Sequence, residues 1–259
     1  MNSLIERFNA PLPEWLWNLK QEFFLKIWQS MLMQDCKNGD HEAMEVLMIR
    51  YWPFVDEFPE IIRKHQLRIF AREFLRHPIH SLFLLNNITK TLGEIKGDEK
   101  DHRSLWLDTS SALGLDEEDL YLGEDFYGSP SPEVYKITQK VGESVSILGN
   151  KTVSSTALLR LSAVEIVAEG ISLYLRIEFK KISDSAARWF EVHMFHKEDV
   201  MSHEDLVYRM AFALDENLQN IGWASEKEKD EKEMEIKKRV GGVISEVVDL
   251  FIEAGNAPY

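Results

Sequence analysis

The chain has 259 residues, 44% of them hydrophobic and 11% aromatic, so it is long enough to bury a sizeable core and is not compositionally disordered. Its formal net charge of −14 argues against nucleic acid and anionic membrane surfaces as partners. The single cysteine, Cys36, rules out an internal disulfide and fits a cytoplasmic protein. No apolar run reaches the length of a membrane span, and "MNSLIERFNAPLPEW" lacks the basic-then-apolar order of a signal peptide.

Apolar spacing predicts helices almost throughout. Residues 13–36, "PEWLWNLKQEFFLKIWQSMLMQDC", open with Pro13 and Glu14 in a favourable first turn. Residues 39–66 follow with Asp40 as N-cap, and Pro53 and Pro59 are expected to kink or interrupt that helix. A long periodic segment, 78–113, closes at Gly114 as C-cap. The turn-rich "GEDFYGSPSPEV" (123–134) separates it from helical patterns at 132–148, 152–181, 185–218 and 230–254. "ISLYLRIEF" (171–179) has strand-like residues yet continues a helical period, so it reads as helix. The charged run "SEKEKDEKEMEIKKR" (225–239) reads as a solvated helix face or hinge. Glycine-rich phosphate loops, internal repeats and strand–helix alternation do not occur in the sequence. The expectation is one all-α domain over residues 1–259, a bundle of about seven helices.

Three histidines fall within eleven positions of "RWFEVHMFHKEDVMSHEDL" (188–206): His193, His196 and His203, with Asp199 among them. On a continuous helix turning ~100° per residue, His196, Asp199 and His203 would share a face about 60° wide, with His193 about 60° to the other side. Two imidazoles and a carboxylate aimed one way form a usable ligand set for a divalent transition metal. "IKGDEKDHRSLWLDTSSALG" (95–114) adds Glu99 and His102, a Glu-x-x-His pair beside an apolar stripe that includes Trp106. "SAVEIVAEGISLY" (162–174) adds Glu165 and Glu169 in a nearly uncharged run. A carboxylate buried there needs a partner, a hydrogen bond or a metal. Metal ligation is assigned to Glu169, and Glu165 reads as a salt-bridged or exposed acid.

Four stretches together resemble the haem-oxygenase-like di-iron oxidases and oxygenases, a branch of the seven-helix fold shared with haem oxygenase, the TenA thiaminases and the pyrroloquinoline-quinone-forming oxidase. They are "YWPFVDEFPEII" (51–62), "GDEKDHRSLWLDTSSALGL" (97–115), "VAEGISLY" (167–174) and the histidine-rich stretch. The resemblance covers residues from 40 to 210 and keeps the family's order along the chain. It implies that Glu99, His102 and Glu169 are metal ligands. In the last stretch the family pattern is His-x3-Asp-x2-His. Counted from His193, the +4 and +7 positions are Lys197 and Val200. Counted from His196, His203 falls at +7 while the carboxylate is Asp199 at +3. Both registers stay open, and all four residues are candidates.

Mixed carboxylate and imidazole ligands suit iron or manganese better than structural zinc. The resemblance implies one or two ferrous ions and O2-dependent oxidation of a small organic substrate such as an amino acid, amine or fatty acid. The substrate would sit in a bundle-core pocket with Trp52, Phe54, Phe58, Trp106 and Tyr174 as candidate walls; a homodimer is compatible with this reading. Three rival readings accompany it. A TenA-type hydrolase would need Cys36 as nucleophile beside a carboxylate, and a cofactor-independent oxidase would need basic groups around its substrate. The third is a non-catalytic helical interaction protein of the same fold.

Overall fold

The structure is a computed structural model that describes residues 2–76, 81–122, 132–148, 152–194, 202–218 and 226–258. Among the described residues every regular element is helical: α1 (Asn2–Asn9), α2 (Glu14–Trp28), α3 (Met31–Lys37), α4 (His41–Arg76), α5 (Ser81–Ala112), α6 (Glu117–Leu122), α7 (Pro132–Val141), α8 (Ser154–Ile182), α9 (Asp184–Val192), α10 (His203–Leu214) and α11 (Glu226–Asn256), with a 3-10 turn at Glu216–Leu218. The all-α expectation is met, with eleven α-helices among the described residues in place of about seven. No described helix is long and apolar enough to cross a membrane.

The larger count comes from breaks that periodicity does not register. The expected helix over 13–36 divides at Ser30, whose backbone is extended and whose Oγ donates to the Ile27 carbonyl at 2.9 Å. Gln34 Nε2 donates to the Trp28 carbonyl, so local side-chain bonds replace helical ones at the junction. The expected helix over 185–218 also divides. α9 stops at His193, and α10 starts afresh behind Ser202, whose Oγ accepts from the Asp205 amide at 3.1 Å. The helix expected over 132–148 stops at Val141.

The expected interruptions at Pro53 and Pro59 do not occur: α4 runs unbroken through both. Each internal proline costs about 3 kcal/mol. Burial of Trp52, Phe54, Phe58, Ile61 and Ile62 against neighbouring helices offsets this, at roughly 1.5–3 kcal/mol per large apolar side chain. The start of α4 is as expected, with the Asp40 carboxylate accepting from the Ala43 amide at 3.2 Å. So is the end of α5, where Gly114 adopts φ +93° and lets Leu115 N–H reach back to the Ser110 carbonyl.

α8 is the central element. It packs on α2, α3, α9, α10 and α11, while α4 packs on α5, α6 and α7. Residues 171–179 are helical, as the period predicted, and Leu175 and Phe179 are fully buried. The apolar seam between α4 and α8, closed by α9 and the end of α11, is where the molecule leaves room for a ligand.

Candidate functional site

A small cavity of about 50 Å³ lies in this seam. α4 supplies Tyr51, Phe54, Val55 and Phe58; α5 supplies Trp106; α8 supplies Val164, Glu165, Val167, Ala168 and Ile171; Trp189, His193 and Phe251 complete the wall. The carboxylate of Glu165 and the imidazole of His193 stand among aromatic and aliphatic side chains. That is the usual make-up of a small-molecule site, a largely apolar wall with few polar groups.

Two more polar groups lie beside these two. The His102 ring, from α5, lies 4.5 Å from the His193 ring, centroid to centroid. His203, the first residue of α10, has Nδ1 3.9 Å from Glu165 Oε1. His193 Nδ1 donates to the Trp189 carbonyl at 2.8 Å, which leaves Nε2 as the lone-pair nitrogen of the neutral ring. Trp189 packs on His193 with the rings tilted by 43° and their centroids 4.2 Å apart, and it meets Trp106 edge-on at 4.7 Å; Trp106 Nε1 donates to the Met48 carbonyl at 3.1 Å. This indole pair fixes the imidazole against the cavity wall.

Lys20, on α2, meets α8 one turn further along, at Glu169. Its Nζ is 2.6 Å from Glu169 Oε2 and 2.5 Å from Glu204 Oε2, and it sits over the rings of Trp17 and Phe24. Burial pushes the Glu204 carboxyl up to about 7, with the Lys20 ammonium pulling it the other way. Burial acts to lower the Lys20 ammonium, but the pull of Glu204 and Glu169 outweighs it and the net shift is upward.

The residues singled out in the sequence are therefore divided. His102 and His193 meet; His203 is brought to Glu165 and not onto one helix face with His193, because the chain leaves helix between the two. Glu169 is ion-paired with Lys20. Glu99 lies on the α5 backbone one turn before His102, its side chain outside the described residues. His196 and Asp199 also lie outside them. Phe54, Phe58 and Trp106 line the cavity. Trp52 instead packs under Arg103 and Tyr121, and Tyr174 stacks on Trp28 beneath Lys37. Sequence reasoning missed Lys20, Glu204 and the cavity role of Glu165. The signal for Lys20 was there: a lone cation on the buried stripe Trp15, Leu16, Leu19, Phe23, Phe24, Ile27 of α2.

No protein-family model and no curated protein matches the chain. A solved structure does: a TenA homologue from Pseudomonas syringae pv. tomato strain DC3000, with TM-score 0.63 over 94% of this chain and 93% of that one, at 16% sequence identity. The chain has the TenA-type fold. At that identity the likeness extends to the backbone and not to the chemistry. Cys36 is fully buried on α3 and is not among the residues lining the cavity. Burial, with Asp35 and Asp40 nearby, pushes its thiol far up, so it is a poor nucleophile.

Among the described residues no group of three or more His, Cys, Asp or Glu side chains is placed to hold a metal ion. The donors stand as two pairs, the His102 and His193 rings 4.5 Å apart and His203 Nδ1 3.9 Å from Glu165 Oε1, and one member of each pair, His193 and Glu165, lines the cavity; imidazole and carboxylate suit a divalent transition metal in kind. His193 carries the backbone hydrogen bond that orients a ligating imidazole.

Proposed function

We propose that the chain is a small-molecule enzyme that binds a single divalent metal ion, iron in preference to manganese, with His102, Glu165, His193 and His203 as its described ligands. Glu99, one turn from His102, is the further candidate. The observation that supports this reading most directly is the His193 Nδ1–H bond to the Trp189 carbonyl, which orients the imidazole in the cavity wall beside the His102 ring, in a lining that also holds the Glu165 carboxylate. A bound ferrous ion would supply the electrons for O2 chemistry, and the reaction class proposed is O2-dependent oxidation of a small organic substrate. The protein's own part is positional. Phe54, Phe58, Ile171 and Phe251 hold the substrate's apolar body and exclude water, while Glu165 and His193 face its reacting end.

A second reading is favoured by the absence of a three-ligand group among the described residues. In it the site works without metal, and the Glu165–His203 pair moves protons to and from a substrate in the cavity. Anaerobic ferrous loading followed by metal analysis separates the two. Wild type should retain iron, and His102→Ala with Glu165→Ala together should lose it at least tenfold in affinity. Wild-type stoichiometry in the double variant would end the metal reading and leave the acid–base one.

A further inference from the structure

We infer that Lys20 is the site's internal counter-cation: its ammonium occupies the space between Glu169 and Glu204 and keeps a metal ion off both carboxylates. The inference rests on the metal reading above only in naming the ion excluded. Its ground is the geometry of three side chains from three helices. Lys20 Nζ lies 2.6 Å from one oxygen of Glu169 and 2.5 Å from one oxygen of Glu204, with side-chain exposures of 9%, 20% and 7%. Two carboxylates that approach one point in a largely dry interior need a positive charge there. α2 delivers it from the buried stripe of that helix, and the faces of Trp17 and Phe24, each 5.6 Å away, favour a cation in the same place.

The consequence for the site follows from register. Glu169 is one turn beyond Glu165 on α8, and Glu204 is the residue after His203 on α10. By tying Glu169 to Glu204, Lys20 fixes the rotation of both helices and so holds His203 opposite Glu165. Lys20 is in this sense a positioning residue. It takes Glu169 and Glu204 out of the groups a metal ion could reach, and sets the limit at one ion per chain.

The test is metal stoichiometry with Mn2+ as the probe, read by magnetic resonance of the free ion and by titration calorimetry on the full chain. Lys20→Met should bind one Mn2+ more than wild type, and Lys20→Met combined with Glu169→Gln should lose that extra ion. In the wild-type background Glu169→Gln should leave stoichiometry unchanged, a result that stands even where Lys20→Met fails to fold. Two ions bound by wild type, a folded Lys20→Met with no gain, or a loss of metal in Glu169→Gln alone would each overturn the inference. A wild type that binds none while Lys20→Met binds one would end the metal reading and leave Lys20 as the excluding cation.

Discussion

Glu165 and Glu169 stand one helical turn apart in the same apolar run, yet one lines a cavity and the other holds a lysine. The sequence makes the burial of a carboxylate here legible, because so few polar groups surround it. Which of the two would be neutralised was not legible, since it depends on where α2 and α10 cross α8. Another buried group yields a prediction about pH. His65 on α4 is 1% exposed, and its Nε2–H donates to the Val141 carbonyl at 2.6 Å. Burial, with Arg160 and Arg68 nearby, lowers its affinity for a proton below the ordinary value of 6.5. The unfolded chain therefore takes up this proton at a higher pH than the folded one. Stability from His65 is complete above pH 6.5 and is lost as pH falls through the lower, folded value. Urea unfolding at pH 7.5 and 5.5 should show a larger loss for wild type than for His65→Gln; equal losses would contradict it.

At the scale of the helix, the start of α4 at Asp40 and the end of α5 at Gly114 were legible because each has a single local cause, a side-chain cap or a positive φ. The body of α8 was legible from its period. The breaks at Ser30 and between His193 and Ser202 were not, because local serine bonds, Ser30 Oγ back to the Ile27 carbonyl and the Ser202 cap on the Asp205 amide, compete with helix and periodicity carries no record of them. The persistence of α4 through Pro53 and Pro59 is the reverse case, in which tertiary burial overrides a local penalty. Gly170 is a position where α8 has no room for propensity. A Cβ there would meet Phe24 Cδ1 at 2.8 Å and Ile27 Cδ1 at 3.3 Å, and the Gly170 carbonyl accepts from Trp28 Nε1 at 2.7 Å. Gly170→Ala gains about 1 kcal/mol in helix propensity. Overpacking against a buried ring costs about 1–3 kcal/mol, so the net effect should be a lowered melting temperature. A rise would show that α2 yields at Phe24.

At the scale of the molecule, the backbone likeness to the TenA homologue at 16% identity shows that one fold is reached with largely different side chains. That is why the fold was more legible than the site, whose groups come from α2, α5, α8, α9 and α10 and meet only after packing. The end of α11 is part of the same assembly. Tyr51 donates to the Phe251 carbonyl, and the fully buried Arg50 donates to the carbonyls of Ala254, Ala257 and Pro258 at 2.8, 3.0 and 3.2 Å. A chain truncated after Glu253 leaves that guanidinium buried without these acceptors, at about 3–5 kcal/mol. Adding Arg50→Met to the truncation should recover part of the loss in a double-mutant cycle, and strict additivity would refute the coupling. These bonds span 204 to 208 positions of sequence. On a ribosome, Arg50 and the α4 wall of the cavity emerge 204 to 208 positions ahead of the carbonyls that hold the guanidinium. The nascent protein therefore carries a cation and an aromatic seam uncovered through that interval, and completes its ligand cavity only once Phe251 and the residues just after it have cleared the exit tunnel.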